Sequence, residues 1–311
     1  MSSLPAVRPF FPAVSDASNN GKSTMFNKRP IETLMLNGLP LGSVGEKLAN
    51  GCRWGPVRMT CFKLLATRDP SWASQELKEI KRHRQHGEDI GSDHLEELKV
   101  RFLKFKKHNY LENLDHYEIL AQGQAPKFMV IACADSRVCP SRILGFQPGE
   151  AFMVRNVANL VPPYEHGSSE TSAALEFAVN SLEVTNILVI GHSRCGGIRA
   201  LMTMKRNSNS KSFIRDWVSV AKGARLSTEA AVGNLSFDEQ CTHCEKESVN
   251  SSLLNLLTYP WIEEKVTEGV LSLHGGYYDF IDCSFEKWTL VYKEGMEGGS
   301  KFALKNYSTW C

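Results

Sequence analysis

Two short apolar runs, each ending in a soft metal ligand, constrain this chain most. The run at 129–132 leads into Cys133, and the run at 187–190 leads through Gly191 to His192. Short, β-rich apolar runs bounded by glycine or polar residues are typical of buried strands in a parallel sheet. The carboxyl ends of such strands meet at one edge of the sheet, where ligands bind. We therefore predict that Cys133 and His192 lie close together at that edge.

A third soft ligand, Cys195, follows His192 and precedes a pair of glycines where we predict that a helix begins. Two thiols and one imidazole favour zinc over magnesium or calcium. Structural zinc is usually held by four protein ligands, whereas three protein ligands plus a water are the catalytic pattern. Since the segments 129–137 and 187–197 contain no further Cys or His, we predict one catalytic Zn²⁺ per chain, bound by Cys133, His192 and Cys195.

An acidic and a basic residue follow Cys133 in the same loop. Asp135 lies two residues after the thiol, and Arg137 lies two residues further on. In other loops an Asp-x-Arg pair often only stabilises a turn. Beside a metal ligand we predict a catalytic pair, in which Arg137 keeps Asp135 ionised and Asp135 orients a hydroxide on the zinc. Asp135 could instead bind the zinc and close the site, and the sequence leaves that alternative open.

Six motifs give the chain a resemblance to a known family. It resembles the plant-type β-class carbonic anhydrases over roughly residues 75 to 292. The matching motifs occupy residues 133–140, 146–152, 155–159, 192–197, 241–247 and 274–280. The resemblance implies an α/β fold with a central, mostly parallel β-sheet flanked by helices. It also implies N-terminal helices that pack on a partner subunit, and a homo-oligomer that is a dimer or a multiple of dimers.

The resemblance also implies an activity, the reversible hydration of carbon dioxide to bicarbonate and a proton by zinc-bound hydroxide. In the family an Asp–Arg dyad, here Asp135 and Arg137, orients that hydroxide. The substrate-binding residues implied by position are Gln124, Phe152, Val157 and Phe177, with the Gly196 amide as a donor to bicarbonate. Phe177 stands where many plant enzymes carry a tyrosine, so the resemblance implies that one potential hydrogen bond to bicarbonate is missing here.

Other functions compete with this one. Related folds hydrolyse carbon disulfide or carbonyl sulfide at the same metal, and a catalytically inactive zinc scaffold would need no Asp–Arg dyad. Zinc nucleobase deaminases also use one His and two Cys, but they require a Pro-Cys-x-x-Cys motif that this chain lacks. Cys241 and Cys244 have no second Cys/His pair at zinc-finger spacing, so we predict that they are packed in the core.

The first 70 residues differ in charge from the rest of the chain. They carry nine Lys/Arg and four Asp/Glu, a net charge of +5, which leaves −3 for the remainder of a chain whose total is +2. A basic, acid-poor leader with hydroxyl side chains resembles an organellar transit peptide, for the chloroplast or alternatively the mitochondrion. A disordered cytosolic tail is the other interpretation.

Composition narrows the partners and the compartment. A net charge of +2 gives no reason to expect nucleic acid, and no apolar run approaches the roughly 20 residues that a membrane span requires. Nine cysteines without regular pairing in 311 residues favour a reducing compartment. The partners that remain are a small-molecule substrate, carbon dioxide or bicarbonate, and further copies of the chain.

The pattern along the chain predicts its organisation. We divide it into a leader (1–70), an N-terminal helical arm (71–125), a zinc-binding α/β catalytic domain (126–292) and a C-terminal extension (293–311). Helices are predicted at 73–88 and 93–109, and near 169–183, 195–205, 212–227 and 236–257. Strands are predicted near 128–132, 151–155, 186–191, 269–273 and 285–292, the last as a candidate edge strand, with a turn at 295–300. The helix at 93–109 has one apolar face formed by Leu95, Leu98, Phe102 and Phe105.

Overall fold

The computed structural model describes residues 94–204, 212–292 and 301–311. The predicted leader, the predicted helix at 73–88 and the predicted turn at 295–300 lie outside the described residues. Within those three segments, no helix is both long enough and apolar enough to cross a membrane.

A six-stranded mixed sheet forms the centre of the described chain, in the order β2-β1-β3-β4-β5-β6. The strands are β1 (Phe128–Cys133), β2 (Ala151–Asn156), β3 (Asn186–His192), β4 (Ser272–Asp279), β5 (Ser284–Tyr292) and β6 (Phe302–Trp310). The first four strands in that order pair in parallel, whereas β5 and β6 pair antiparallel with their neighbours. The predicted mostly parallel sheet is confirmed.

The two strands that carry the candidate ligands are neighbours in the middle of the sheet. Met129, Val130 and Ile131 of β1 are fully buried, as expected of a parallel strand that is covered on both faces. In the register of the sheet Ala132 of β1 pairs with Ile190 of β3, so both strands end at the same edge.

Nine α-helices flank the sheet in the described segments. They are α1 (His94–Phe105), α2 (Leu114–Gln122), α3 (Pro140–Ile143), α4 (Glu170–Glu176), α5 (Gly196–Thr203), α6 (Phe213–Val218), α7 (Lys222–Val232), α8 (Phe237–Leu256) and α9 (Pro260–Thr267). The longest, α8, begins with a capping box in which the Ser236 and Glu239 side chains each accept from the other residue's backbone N–H. Three helices, α2, α3 and α9, are absent from the sequence prediction.

Several predicted boundaries are wrong. The strand expected at 269–273 begins later, at Ser272, because Gly269 follows α9 with a φ of +75° and the chain needs that turn to enter the sheet. The helix expected at 212–227 is two helices, separated by a 3-10 turn at Ser219–Ala221. The strand at 285–292 does not lie at an edge, since β6 pairs with it and Trp310 stacks on Phe285.

A buried histidine makes the fold sensitive to acid. His274 of β4 hydrogen-bonds Thr289 of β5 and Asn186 of β3, and burial lowers its pKa to about 4. An unfolded chain binds that proton near pH 6.5. The unfolded state therefore gains protons before the folded state as the pH falls, and stability decreases between pH 6.5 and about 4.

We expect the free energy of unfolding in urea to fall by roughly 1–3 kcal/mol across that interval through His274 alone. The His274→Gln variant keeps an amide that can reach both neighbours, and it should lose this part of the pH dependence. Wild type and variant are compared at matched pH and zinc concentration. Parallel stability curves for the two proteins would show that His274 does not titrate in this way.

Candidate metal centre

Three buried ligand side chains converge at the carboxyl edge of the sheet. Cys133 ends β1, His192 ends β3 and Cys195 immediately precedes α5. Their ligand atoms all lie within 4.8 Å of one another, and the two Sγ atoms are 4.0 Å apart. Among the described residues no other cluster of this kind is present. The predicted convergence of these three residues is what the fold produces.

The hydrogen bonds of His192 fit a metal ligand. Its Nδ1 lies 2.9 Å from the Ser193 carbonyl, so Nδ1 carries the proton and donates. The other nitrogen, Nε2, is buried and has no hydrogen-bond partner. A buried nitrogen without a partner is costly unless a ligand completes it. An imidazole held by a carbonyl at one nitrogen and free at the other is the usual form of a zinc-binding histidine.

A hydrogen bond between the two thiols couples their ionisation. The hydrogen bond from the Cys195 thiol lowers the pKa of Cys133, with a further contribution from His192. The same contact, with burial, raises the pKa of Cys195, so the pair holds one shared proton. The Ala158 N–H also donates to Cys133 Sγ, at 3.4 Å. Metal binding would release the shared proton and leave two thiolates.

Asp135 and Arg137 form a bidentate ion pair in the loop after β1. Arg137 Nε donates to Asp135 Oδ1 at 2.9 Å, and Nη2 donates to Oδ2 at 2.7 Å. The Arg137 hydrogen bonds hold the pKa of the Asp135 carboxyl well below its usual range. The arginine also packs over the ring of Phe280, 4.6 Å from its centroid. Asp135 is therefore an ionised acceptor, and both of its oxygens are engaged by Arg137 rather than placed among the metal ligands.

Two of the residues expected in the pocket lie beside the ligands. Val157 precedes Ala158, which contacts Cys133, and Gly196 is the first residue of α5. The next residue, Gly197, allows the close approach of these segments, since a Cβ there would lie 2.9 Å from Val157 Cγ1 and from Ala158 Cβ. The N-terminal end of α5 therefore faces the turn that follows β2.

The other three expected pocket residues lie towards the opposite ends of the strands from the ligands. The Phe152 and Phe177 rings pack on one another with centroids 5.8 Å apart, and Gln124 is exposed before β1. Phe152 pairs with Met129, four residues along β1 from Cys133. At about 3.3 Å per residue, that distance is about 13 Å along the strand.

Arg155 supports the loop after β1, a role that no sequence prediction assigns to it. Arg155 of β2 donates to the Cys133 carbonyl at 2.9 and 2.7 Å and to the Asp135 carbonyl at 2.6 Å. It thereby holds the loop that carries both a ligand and the ion pair. The residue lies in one of the six family motifs, but nothing in its spacing indicates which carbonyls its side chain reaches.

Comparisons with known proteins agree on one family. The family model described as carbonic anhydrase matches residues 128–284. The chain is 57% identical over 256 residues to beta carbonic anhydrase 5, chloroplastic, of Arabidopsis thaliana, covering 81% of this chain and 84% of that protein. It is 55% identical over 199 residues to beta carbonic anhydrase 6, mitochondrial, of the same plant, covering 64% and 69%.

Solved structures of β-carbonic anhydrases share the fold. The β-carbonic anhydrase CcaA superposes with a TM-score of 0.60 at 30% identity, covering 65% of this chain and 89% of that chain. One of two tetrameric β-carbonic anhydrases from the fungus Sordaria macrospora gives 0.57 at 27% identity, covering 63% and 97%.

Proposed function

We propose, since this chain belongs to the plant-type β-class carbonic anhydrases, that it hydrates carbon dioxide reversibly at a zinc ion held by Cys133, His192 and Cys195. The observation that carries the proposal is this buried ligand cluster, in which the His192 Nε2 has no other partner. When bound, the zinc would supply a water whose pKa is lowered from about 15.7 towards about 7. The substrate would be carbon dioxide, and the products bicarbonate and a proton.

The proposed role of Asp135 is to orient the attacking oxygen. Its carboxylate is held ionised by Arg137, so it can accept a hydrogen bond but cannot donate one. Accepting the remaining hydrogen of the attacking oxygen would turn a lone pair of that oxygen towards carbon dioxide. Arg137 would act through Asp135, by fixing both carboxylate oxygens.

The proposed pocket is small and mostly apolar, as carbon dioxide requires. Val157 would form a wall beside the ligands, and the Gly196 amide at the start of α5 would donate to bicarbonate. Phe152 and Phe177 would contribute apolar surface, and Phe177 lacks the hydroxyl of the tyrosine found at its position in many plant enzymes. Because Phe152 lies about 13 Å from Cys133 within one chain, it and Gln124 would serve the pocket of a neighbouring subunit.

A homo-oligomer follows from the same geometry. Leu95, Leu98 and Phe102 of α1 are 73%, 54% and 60% exposed, so the apolar face predicted for this helix is uncovered in the single chain. A second copy that covers this face and β2, at the edge of the sheet, would form a dimer, and dimers could associate further. The Sordaria macrospora relatives are described as tetrameric. Light scattering that gives the mass of a monomer, 34.8 kDa, would contradict the proposal.

The proposed location is an organelle, with the chloroplast favoured over the mitochondrion. The leader is basic and acid-poor, and the relative with 57% identity is named as chloroplastic. A fluorescent protein fused after residue 70 should enter the organelle. Retention of that fusion in the cytosol would contradict the location without affecting the proposed reaction.

The direct test measures zinc content and carbon dioxide hydration on the same full-length preparation. We expect about one zinc per chain and rapid hydration in stopped flow at mildly alkaline pH. Carbon disulfide and carbonyl sulfide are the control substrates, and we expect little hydrolysis of either. A zinc-replete protein without hydration would contradict the proposal and favour a scaffold, or another substrate if one of the controls is consumed.

A further inference from the structure

A buried carboxylate contacts the main chain of a metal ligand, and the mechanism above gives it no role. Glu245 of α8 is only 2% exposed. Its Oε1 accepts from the Cys195 N–H at 2.8 Å, and its Oε2 accepts from the Tyr277 hydroxyl at 2.8 Å. Neither of these two donors is a cation, and the adjacent Lys246 pairs with Glu286 instead. Burying a carboxylate between neutral donors costs free energy of folding. A carboxylate at this position is therefore not explained by stability alone.

The peptide group between Arg194 and Cys195 is held at both of its polar atoms. Its N–H donates to Glu245, and its carbonyl accepts from Arg137 Nη2 at 3.3 Å. Arg194 has a φ of +53°, in the left-handed region that residues with a side chain seldom adopt. Such a conformation persists when surrounding contacts determine it. Here two charged side chains, one from the loop after β1 and one from α8, supply those contacts.

The packing of α8 on the sheet brings Glu245 within reach. Gly191 of β3 faces α8, and a Cβ at that position would lie 2.8 Å from Val249 Cγ2 and 3.4 Å from the Glu245 carbonyl oxygen. The missing side chain therefore lets the helix approach the end of β3, one residue before the ligand His192. The position of Glu245 is thus fixed by the core rather than by the surface.

We propose that Glu245 is a positioning residue for Cys195, which fixes the 194–195 peptide together with Arg137 and so aims the Cys195 thiolate at the metal. The proposal rests on the zinc site of the proposed function, but not on its reaction. Without the Glu245 carboxylate, the Cys195 N–H would be buried without an acceptor. The peptide could then rotate towards another partner, and the thiol would lose its fixed position 4.0 Å from Cys133 Sγ.

The test compares zinc retention in Glu245→Ala, Glu245→Gln and the control Glu247→Gln. Glu247 is on the same helix, is partly buried and contacts Asn250 rather than the ligands. Full-length, zinc-loaded proteins are mixed with an excess of a chromophoric chelator, and the rate of zinc loss is followed. We expect the alanine variant to lose zinc about 10–100-fold faster than wild type. Glutamine keeps an oxygen for the Cys195 N–H, so that variant should stay close to wild type, as should the control.

A spectroscopic readout separates positioning from general loss of stability. Co²⁺ is substituted for zinc, and the thiolate-to-metal charge-transfer band is recorded for each protein. We expect the band to change in Glu245→Ala and to return in Glu245→Gln. Should the alanine variant fail to fold, Tyr277→Phe removes only the hydroxyl that holds Oε2, and a smaller increase in zinc loss is expected there.

Zinc loss at the control rate with an unchanged cobalt band, in both Glu245→Ala and Tyr277→Phe, would overturn the proposal. A lower melting temperature of the zinc-free variants, without faster zinc loss, would also overturn it, because Glu245 would then serve only the core. Neither readout uses carbon dioxide. A protein that retains zinc through Glu245 but does not hydrate carbon dioxide would contradict the proposed function and leave this inference supported.

Discussion

Replacing His192 by alanine is expected to remove both the zinc and the hydration activity. The imidazole is 1% exposed, and its Nε2 has no partner within the protein. Two thiols would remain, and zinc sites in proteins use at least three protein ligands. We expect zinc to fall from about one to below about 0.1 per chain after dialysis, and hydration to fall to the rate of the buffer.

A matched substitution controls for the loss of a histidine. His243 of α8 is half-buried and contacts the Thr228 hydroxyl at 3.1 Å, so His243→Ala removes an imidazole that touches none of the ligands. This variant should keep its zinc and its activity. Circular dichroism of His192→Ala against zinc-free wild type shows whether the fold survives. Full zinc content and unaltered hydration in a folded His192→Ala protein would mean that the cluster is not the catalytic centre.

The ligand cluster could be predicted because its determinants are local. The apolar runs before Cys133 and His192 read as strands whichever residues surround them, and parallel strands share an edge. Once two ligands are at one edge, Cys195 cannot be far away. The burial of Cys241 and Cys244 was predicted because no second Cys/His pair lies at zinc-finger spacing, and it is confirmed, since both pack in the apolar cluster around α5 and α8. Burial also raises the pKa of Cys244 to about 12, so this thiol stays protonated.

The supporting residues could not be predicted because their contacts join distant parts of the chain. Glu245 meets Cys195 across 50 positions, and Arg155 meets the Cys133 carbonyl across 22. Neither contact corresponds to a periodicity or a motif spacing that can be recognised in the sequence. The late start of β4 has a related cause, since the register of β4 is set by its pairing with β3, in which Asn186 faces Ser272. An apolar pattern alone places a strand, but it does not fix where pairing begins.

Replacing Asp135 by asparagine is expected to keep the zinc and to lower kcat/KM for hydration by about 10²–10³. Asparagine retains one oxygen for the Arg137 N–H groups, so the loop should keep its shape. Its second atom is an NH₂ group, which donates where the carboxylate accepts. The attacking oxygen would lose the acceptor proposed to direct its lone pair. Zinc content and stopped-flow hydration are measured on the same preparation.

The control is Asp282→Asn, which alters an exposed loop carboxylate that accepts from the Ser284 N–H and should leave hydration unchanged. The Arg137→Met variant tests whether Arg137 keeps the Asp135 carboxyl ionised. The pKa of Asp135 lies well below its usual range because Arg137 donates to it, so the ionised form persists to unusually low pH. Without Arg137 that pKa should rise, and the acidic limb of the pH profile should move to higher pH. Zinc-replete Asp135→Asn with wild-type kcat/KM would show that this carboxylate does not orient the attacking oxygen.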